Sequence, residues 1–76
     1  IMIYEYDGRK DKCPLPLVKM RVILNKMLAT DECIVIIADS GSKQDIPKYL
    51  RGKGYHFEQQ TLEDAIQYHI KTGKLS

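Results

Sequence analysis

Six apolar residues in a row, Cys33-Ile34-Val35-Ile36-Ile37-Ala38, constrain the fold more than any other stretch of this chain. The β-branched residues at its centre favour extended backbone. An unbroken apolar run of this length is typical of a buried parallel strand in an α/β sheet. The chain has 76 residues, enough for one small domain, 1–76, and too few for two. The rest of the sequence therefore has to supply the neighbours of that strand.

Upstream, Ile1 to Tyr6 alternates Ile1 and Ile3 against Tyr4 and Tyr6 and predicts a first strand, with Asp7-Gly8 as a turn signal. A helix is predicted from Pro14 to about Ala29. Downstream, Ser40-Gly41-Ser42 is a loop with a candidate N-cap, and a second helix covers Lys43 to Arg51. Pro47 falls inside it, so that helix starts late or bends. Gly52 and Gly54 terminate it. Tyr55 to Gln60 and Ala65 to Lys71 predict two strands joined by Thr61-Leu62-Glu63-Asp64, a hairpin-length loop. The order is β-α-β-α-β-β. A right-handed strand–helix–strand crossover makes its two strands parallel. The expected architecture is thus an α/β two-layer sandwich with both helices on one face and the other sheet face open. Ligand chemistry in open α/β sheets gathers at the carboxyl ends of the strands. The start of the first helix and the loop Asp39 to Ser42 both open there.

At the start of the first helix stands Cys13-Pro14-Leu15-Pro16. Proline is favoured at the first helical position, where its missing N–H costs nothing. With Pro14 there, Cys13 becomes the N-cap, and Pro16 at the third position has no N–H to offer. Only the Leu15 N–H is then left to point at the sulfur. The positive end of the helix dipole favours thiolate, the nucleophilic form. Cys13 is accordingly the candidate reactive residue, and Pro14, Leu15 and Pro16 shape the helix start around it.

Along the same helix Leu17, Met20, Ile23, Leu24, Met27 and Leu28 share one face, which is assigned to the core. Leu15, Val18 and Val22 form a second stripe, flanked by Lys19, Arg21 and Lys26. That stripe is either a docking surface leading away from the thiol or a surface packed in part against the second helix. A helix of this length spans about 24 Å, and Cys13 and Cys33 lie at its opposite ends. Disulfide Cα atoms come within about 7 Å, so both thiols are expected to be free, as in a reducing cytoplasm. The net charge of +2, from 12 Lys and Arg against 10 Asp and Glu, is spread along the chain. That gives no clustered basic face for nucleic acid. No apolar run approaches the roughly 18 residues of a membrane span, and residues 1–6 lack the apolar core of a signal peptide. His56 and His69 have no ligand spacing, and no metal pattern is present.

At Cys13-Pro14-Leu15-Pro16 the chain resembles the TusA/SirA-like family of small sulfur-carrier proteins, whose hallmark is a Cys-Pro-x-Pro motif after the first strand. The resemblance continues through Lys19 and Arg21, Ile36-Ile37-Ala38-Asp39, Asp45-Ile46-Pro47 and Gly54-Tyr55. It implies a four-stranded mixed sheet of order 1-2-4-3, with strand four antiparallel, like the C-terminal domain of translation initiation factor 3. The chain departs from the family pattern at Thr30-Asp31, where many members have a Gly turn, and in a loop from Asp39 to Asp45 that is shorter by a residue.

The resemblance implies a persulfide carrier. Cys13 would accept sulfane sulfur from a cysteine desulfurase and relay it to an acceptor protein, for tRNA 2-thiouridine synthesis or related sulfur metabolism. No cofactor of its own is implied, since pyridoxal phosphate belongs to the donor. A shuttle that visits two partners through one thiol is expected to be a monomer. Val18, Lys19, Arg21, Val22, Asp39 and Asp45 are the candidate partner-binding residues. Lys19 and Arg21 alternatively serve as solvated helix residues, Asp39 as a turn residue and Asp45 as a cap of the second helix. A Cys-x-x-Cys oxidoreductase is excluded by the absence of a second cysteine in the motif. A reading from another class is a regulatory module binding RNA or protein without thiol chemistry. It differs in tolerating serine at position 13.

Overall fold

The computed structural model describes residues 2–72, and Ile1, assigned above to the first strand, lies outside them. The elements are β1 (Ile3–Gly8), α1 (Leu15–Lys26), β2 (Glu32–Ile37), α2 (Ser40–Lys53), β3 (His56–Thr61) and β4 (Ile66–Lys71). They form one sheet of order β1-β2-β4-β3. β1 runs parallel to β2, and β4 is antiparallel to both β2 and β3. This is the expected βαβαββ sandwich.

β2 is the centre of the molecule, but it is buried on one side only. Cys33, Val35 and Ile37 are fully buried, while Ile34 and Ile36 between them are half-buried on the open face. The apolar run thus overstates its burial, because no helix covers that second face. The inward residues pack with Met20 and Leu24 of α1, Ile46 and Leu50 of α2, and Tyr68 and Ile70 of β4. Each such side chain contributes roughly 1.5–3 kcal/mol through removal from water.

In β1 the tyrosines face the core, and Ile3 is 55% exposed. Register decides this: Tyr4 and Tyr6 pair with the inward Cys33 and Val35. Asp7-Gly8, expected to turn, instead completes the strand, with Gly8 opposite Ile37. The Tyr6 ring covers Gly8 so closely that a Cβ there would stand 2.7 Å from it. α1 ends at Lys26, short of Ala29, so Leu28 is 69% exposed and is not a core residue. Asp31 explains how the turn into β2 dispenses with glycine. Its carboxylate accepts the N–H of Leu28 at 2.9 Å and of Met2 at 3.0 Å, and these bonds lower its pKa.

α2 runs unbroken through Pro47 and starts earlier than expected. Proline lacks the N–H that would bond the carbonyl four residues back, at Lys43. The Tyr68 hydroxyl donates to that carbonyl at 3.4 Å. Gly54, not Gly52, closes the helix, in the left-handed region at φ 81°, where a Cβ is disfavoured.

Candidate functional site

Cys13 lies in the loop that leaves β1, and Asp39 in the loop that leaves β2. Because these strands are parallel neighbours, both loops open at the same end of the sheet. The Cys13 N–H donates to Asp39 Oδ2 at 3.3 Å. That oxygen also accepts the N–H and hydroxyl of Ser42, at 3.0 and 3.3 Å. Asp39 is the N-cap of α2, and these bonds, that of the Ser42 N–H first, lower its pKa. One side chain thus caps α2 and ties the cysteine loop to it.

The Cys13 thiol is exposed. Its Sγ lies 3.9 Å from Asp45 Oδ2, so the S–H points at a carboxylate from the second turn of α2. Gly41 leaves the space beneath open: a Cβ there would lie 3.8 Å from Sγ and 3.5 Å from the Cys13 Cβ. Three expectations are corrected. Cys13 is not the N-cap of α1; Pro14 is, after a cis Cys13–Pro14 peptide bond, and no side chain caps the helix. The Leu15 N–H does not point at sulfur but donates to the Lys12 carbonyl at 2.8 Å, closing a turn that delays the helix by one residue. Asp45 does not cap α2, because the cap position is already filled by Asp39 and the helix begins at Ser40.

Of the motif prolines, Pro16 is buried. Leu15, Val18 and Val22 are 47%, 46% and 52% exposed, so the second stripe on α1 faces solvent. Arg21, at the border of that stripe, lies over the Tyr49 ring of α2, 5.7 Å from its centroid. Lys19 is held inside the molecule's own network. Its Nζ lies 3.0 Å from Asp11 Oδ2 and 5.6 Å from the centroid of the Tyr6 ring. The Tyr6 hydroxyl donates to the same Asp11 oxygen. Burial first, then this bond, raises the Tyr6 pKa, while the Tyr6 and Lys19 bonds lower that of Asp11. The Tyr6–Asp11–Lys19 cluster fastens the loop carrying Cys13 to β1 and α1. The sequence signals its members only as a polar loop residue and a helix lysine.

Cys33 is free, fully buried in the core and separate from the site. Burial pushes its thiol pKa up to about 11, from 9.0. Below pH 9 the thiol is protonated in both folded and unfolded chains. Between about 9 and 11 the unfolded chain releases the proton first, so stability falls as pH rises through that window. Urea titrations at pH 8, 9, 10 and 11 should show a decreasing free energy of unfolding over this span. At neutral pH a thiol reagent should modify Cys13 promptly and Cys33 only after denaturant is added.

The sequence profile of the family described as Sulfurtransferase TusA matches residues 4–72. Among solved structures, the SirA-like protein from Desulfitobacterium hafniense superposes with a TM-score of 0.78 at 22% identity. The match covers 97% of this chain and 100% of that one. No curated protein sequence matches. Among the described residues no helix is long and apolar enough to cross a membrane, and no group of three His, Cys, Asp or Glu side chains is placed to hold a metal ion.

Proposed function

We propose that this chain, which belongs to the TusA family of sulfurtransferases, carries sulfane sulfur as a persulfide on Cys13 between a cysteine desulfurase and an acceptor protein. The observation that carries the reading is the isolation of one exposed thiol at a sheet edge. The other cysteine is buried in the core and is not available to resolve a persulfide into a disulfide. The Cys13 thiolate attacks the terminal sulfur of the donor's persulfide. A new S–S bond forms at Cys13, the donor's S–S bond breaks, and the donor cysteine leaves as thiolate. In the second half an acceptor thiolate attacks the outer sulfur, and Cys13 leaves as thiolate. No net oxidation or reduction occurs in either step, and no cofactor of the carrier's own takes part.

The protein acts as a monomer in a reducing cytoplasm and feeds uridine thiolation in tRNA or related sulfur chemistry. Leu15, Val18 and Val22, with Arg21 at their border, are the surface on which partners seat while reaching Cys13. The open sheet face disfavours the RNA-binding reading. Glu5, Asp7, Glu32 and Glu58 stand on it with Lys71. With Asp7 paired to Arg9 and Glu32 to His69, the face has, among the described residues, no cluster of free cations for a phosphate backbone.

Intact mass spectrometry after incubation with a cysteine desulfurase and free cysteine tests the proposal. The expected product has the added mass of one sulfur atom, removed by reductant and passed on when an acceptor thiol protein is supplied. Absence of the adduct with desulfurases and rhodaneses alike would count against it.

A further inference from the structure

Any sulfur donor has to bring its own sulfur into contact with Cys13 Sγ. Asp45 Oδ2 stands 3.9 Å from that atom, and Asp39 Oδ2 accepts the same residue's N–H. Gly41 offers no side chain to screen them. Among the described residues the ion pairs are Arg9–Asp7, Lys19–Asp11 and His69–Glu32, so neither carboxylate has a cation within 4.0 Å. Asp39 is engaged by three donors, two of them on Ser42. The hydrogen bond found to Asp45 is that of the thiol itself. When the thiol ionises to attack, that carboxylate is left facing the incoming group.

Resting on the carrier reading, we propose that Asp45 is a specificity-determining residue that turns small anionic sulfur donors, thiosulfate above all, away from Cys13. Direct use of thiosulfate would require Cys13–S⁻ to attack the sulfane sulfur, form Cys13–S–S⁻ and expel sulfite as the dianion. Atoms and charge balance, but a dianion has to stay beside an unpaired carboxylate throughout. A protein-borne persulfide carries at most one charge, and its protein can place a lysine or arginine against Asp45. The chemistry that fits this site is therefore a protein persulfide flanked by a cation.

Two chromogenic disulfides separate the effect of charge from that of thiol reactivity. Both are opened by thiolate attack, with one thiolate leaving. Dithiobis(nitrobenzoate) is a dianion and dithiodipyridine is neutral. Rates are measured on the full chain and on Asp45→Asn, an isosteric change at an exposed position, with Cys13→Ser as the blank. The expected result is a rise of about tenfold in the ratio of dianion rate to neutral rate at low ionic strength. That gain should shrink in about 1 M salt, where screening acts within about 3 Å. Loading by thiosulfate, read by mass, should rise in parallel.

Equal changes with both reagents would mean that Asp45 acts on the thiol and not on the donor, and would overturn the proposal. So would an unchanged or lowered ratio. These reagents need only a reactive thiol, whereas failure of the carrier reading would appear as absent loading by a desulfurase.

Discussion

Replacing Cys13 by serine is expected to reduce sulfur loading to background and to leave the fold and its stability within experimental error. A hydroxyl differs from the thiol by one atom but is not ionised near neutral pH and forms no persulfide. The thiol is exposed and serves no packing purpose, so its loss removes no buried surface. The N–H that donates to Asp39 belongs to the backbone and survives the change. Cys33→Ser should do the reverse. It places a hydroxyl among Val35, Met20 and Ile70 in a core with no partner provided, at a cost of about 1–3 kcal/mol. Loading of that variant at Cys13 should continue at the wild-type rate while the protein remains folded. Circular dichroism melts beside loading assays separate the two outcomes. Loading that survives in Cys13→Ser would place the sulfur elsewhere.

The second large effect is structural. Tyr68→Ala should remove a large part of the chain's stability. Tyr68 is the largest fully buried side chain and joins both layers. Its ring meets Phe57 of β3 edge-on at 5.9 Å, and its hydroxyl reaches the Lys43 carbonyl that Pro47 cannot satisfy. Truncating a buried aromatic costs about 3–5 kcal/mol. A domain of 76 residues has roughly 4–11 kcal/mol in total. Tyr68→Phe isolates the polar part. It retains the ring and leaves the Lys43 carbonyl unpaired, for a loss of about 1–2 kcal/mol. Urea unfolding followed by far-ultraviolet circular dichroism measures both. Equal losses in the two variants would show that the hydroxyl dominates, contrary to this account.

The fold was legible because its largest signals are local. The run at Cys33–Ala38 and the two short strands near the end place β2, β3 and β4 within one residue of their observed bounds. What escaped depends on pairing. Nothing within β1 says whether Ile3 or Tyr4 points inward; register against β2 decides it. Asp7-Gly8 has the composition of a turn, yet Gly8 stays in the sheet, where the Tyr6 ring occupies the space that a side chain would need.

The site divides in the same way. Cys13, Pro16 and the apolar stripe Leu15, Val18 and Val22 are picked out by helical spacing and the proline signature, while the burial of Pro16 and the exposure of the stripe emerge only from the packing. The carboxylate beside the thiol does not, since Asp45 lies 32 residues away and meets Cys13 only after α2 folds back over the sheet end. Counting α2 from Lys43 made Asp45 an N-terminal residue, and moving the cap to Asp39 puts it one turn deeper, against the sulfur. On α1 Lys19 has no acidic neighbour at helical spacing, so the sequence leaves it free to steer a partner. Asp11 reaches it from the loop before the helix.

The measurement that bears most directly on Cys13 as the carrying atom is peptide mapping of the desulfurase-loaded protein under non-reducing conditions. Trypsin separates the two thiols, releasing Cys13 within residues 13–19 and Cys33 within residues 27–43. The added sulfur is expected on the first peptide alone, lost on reduction. Sulfur on the second peptide, or an even spread between them, would contradict that role for Cys13.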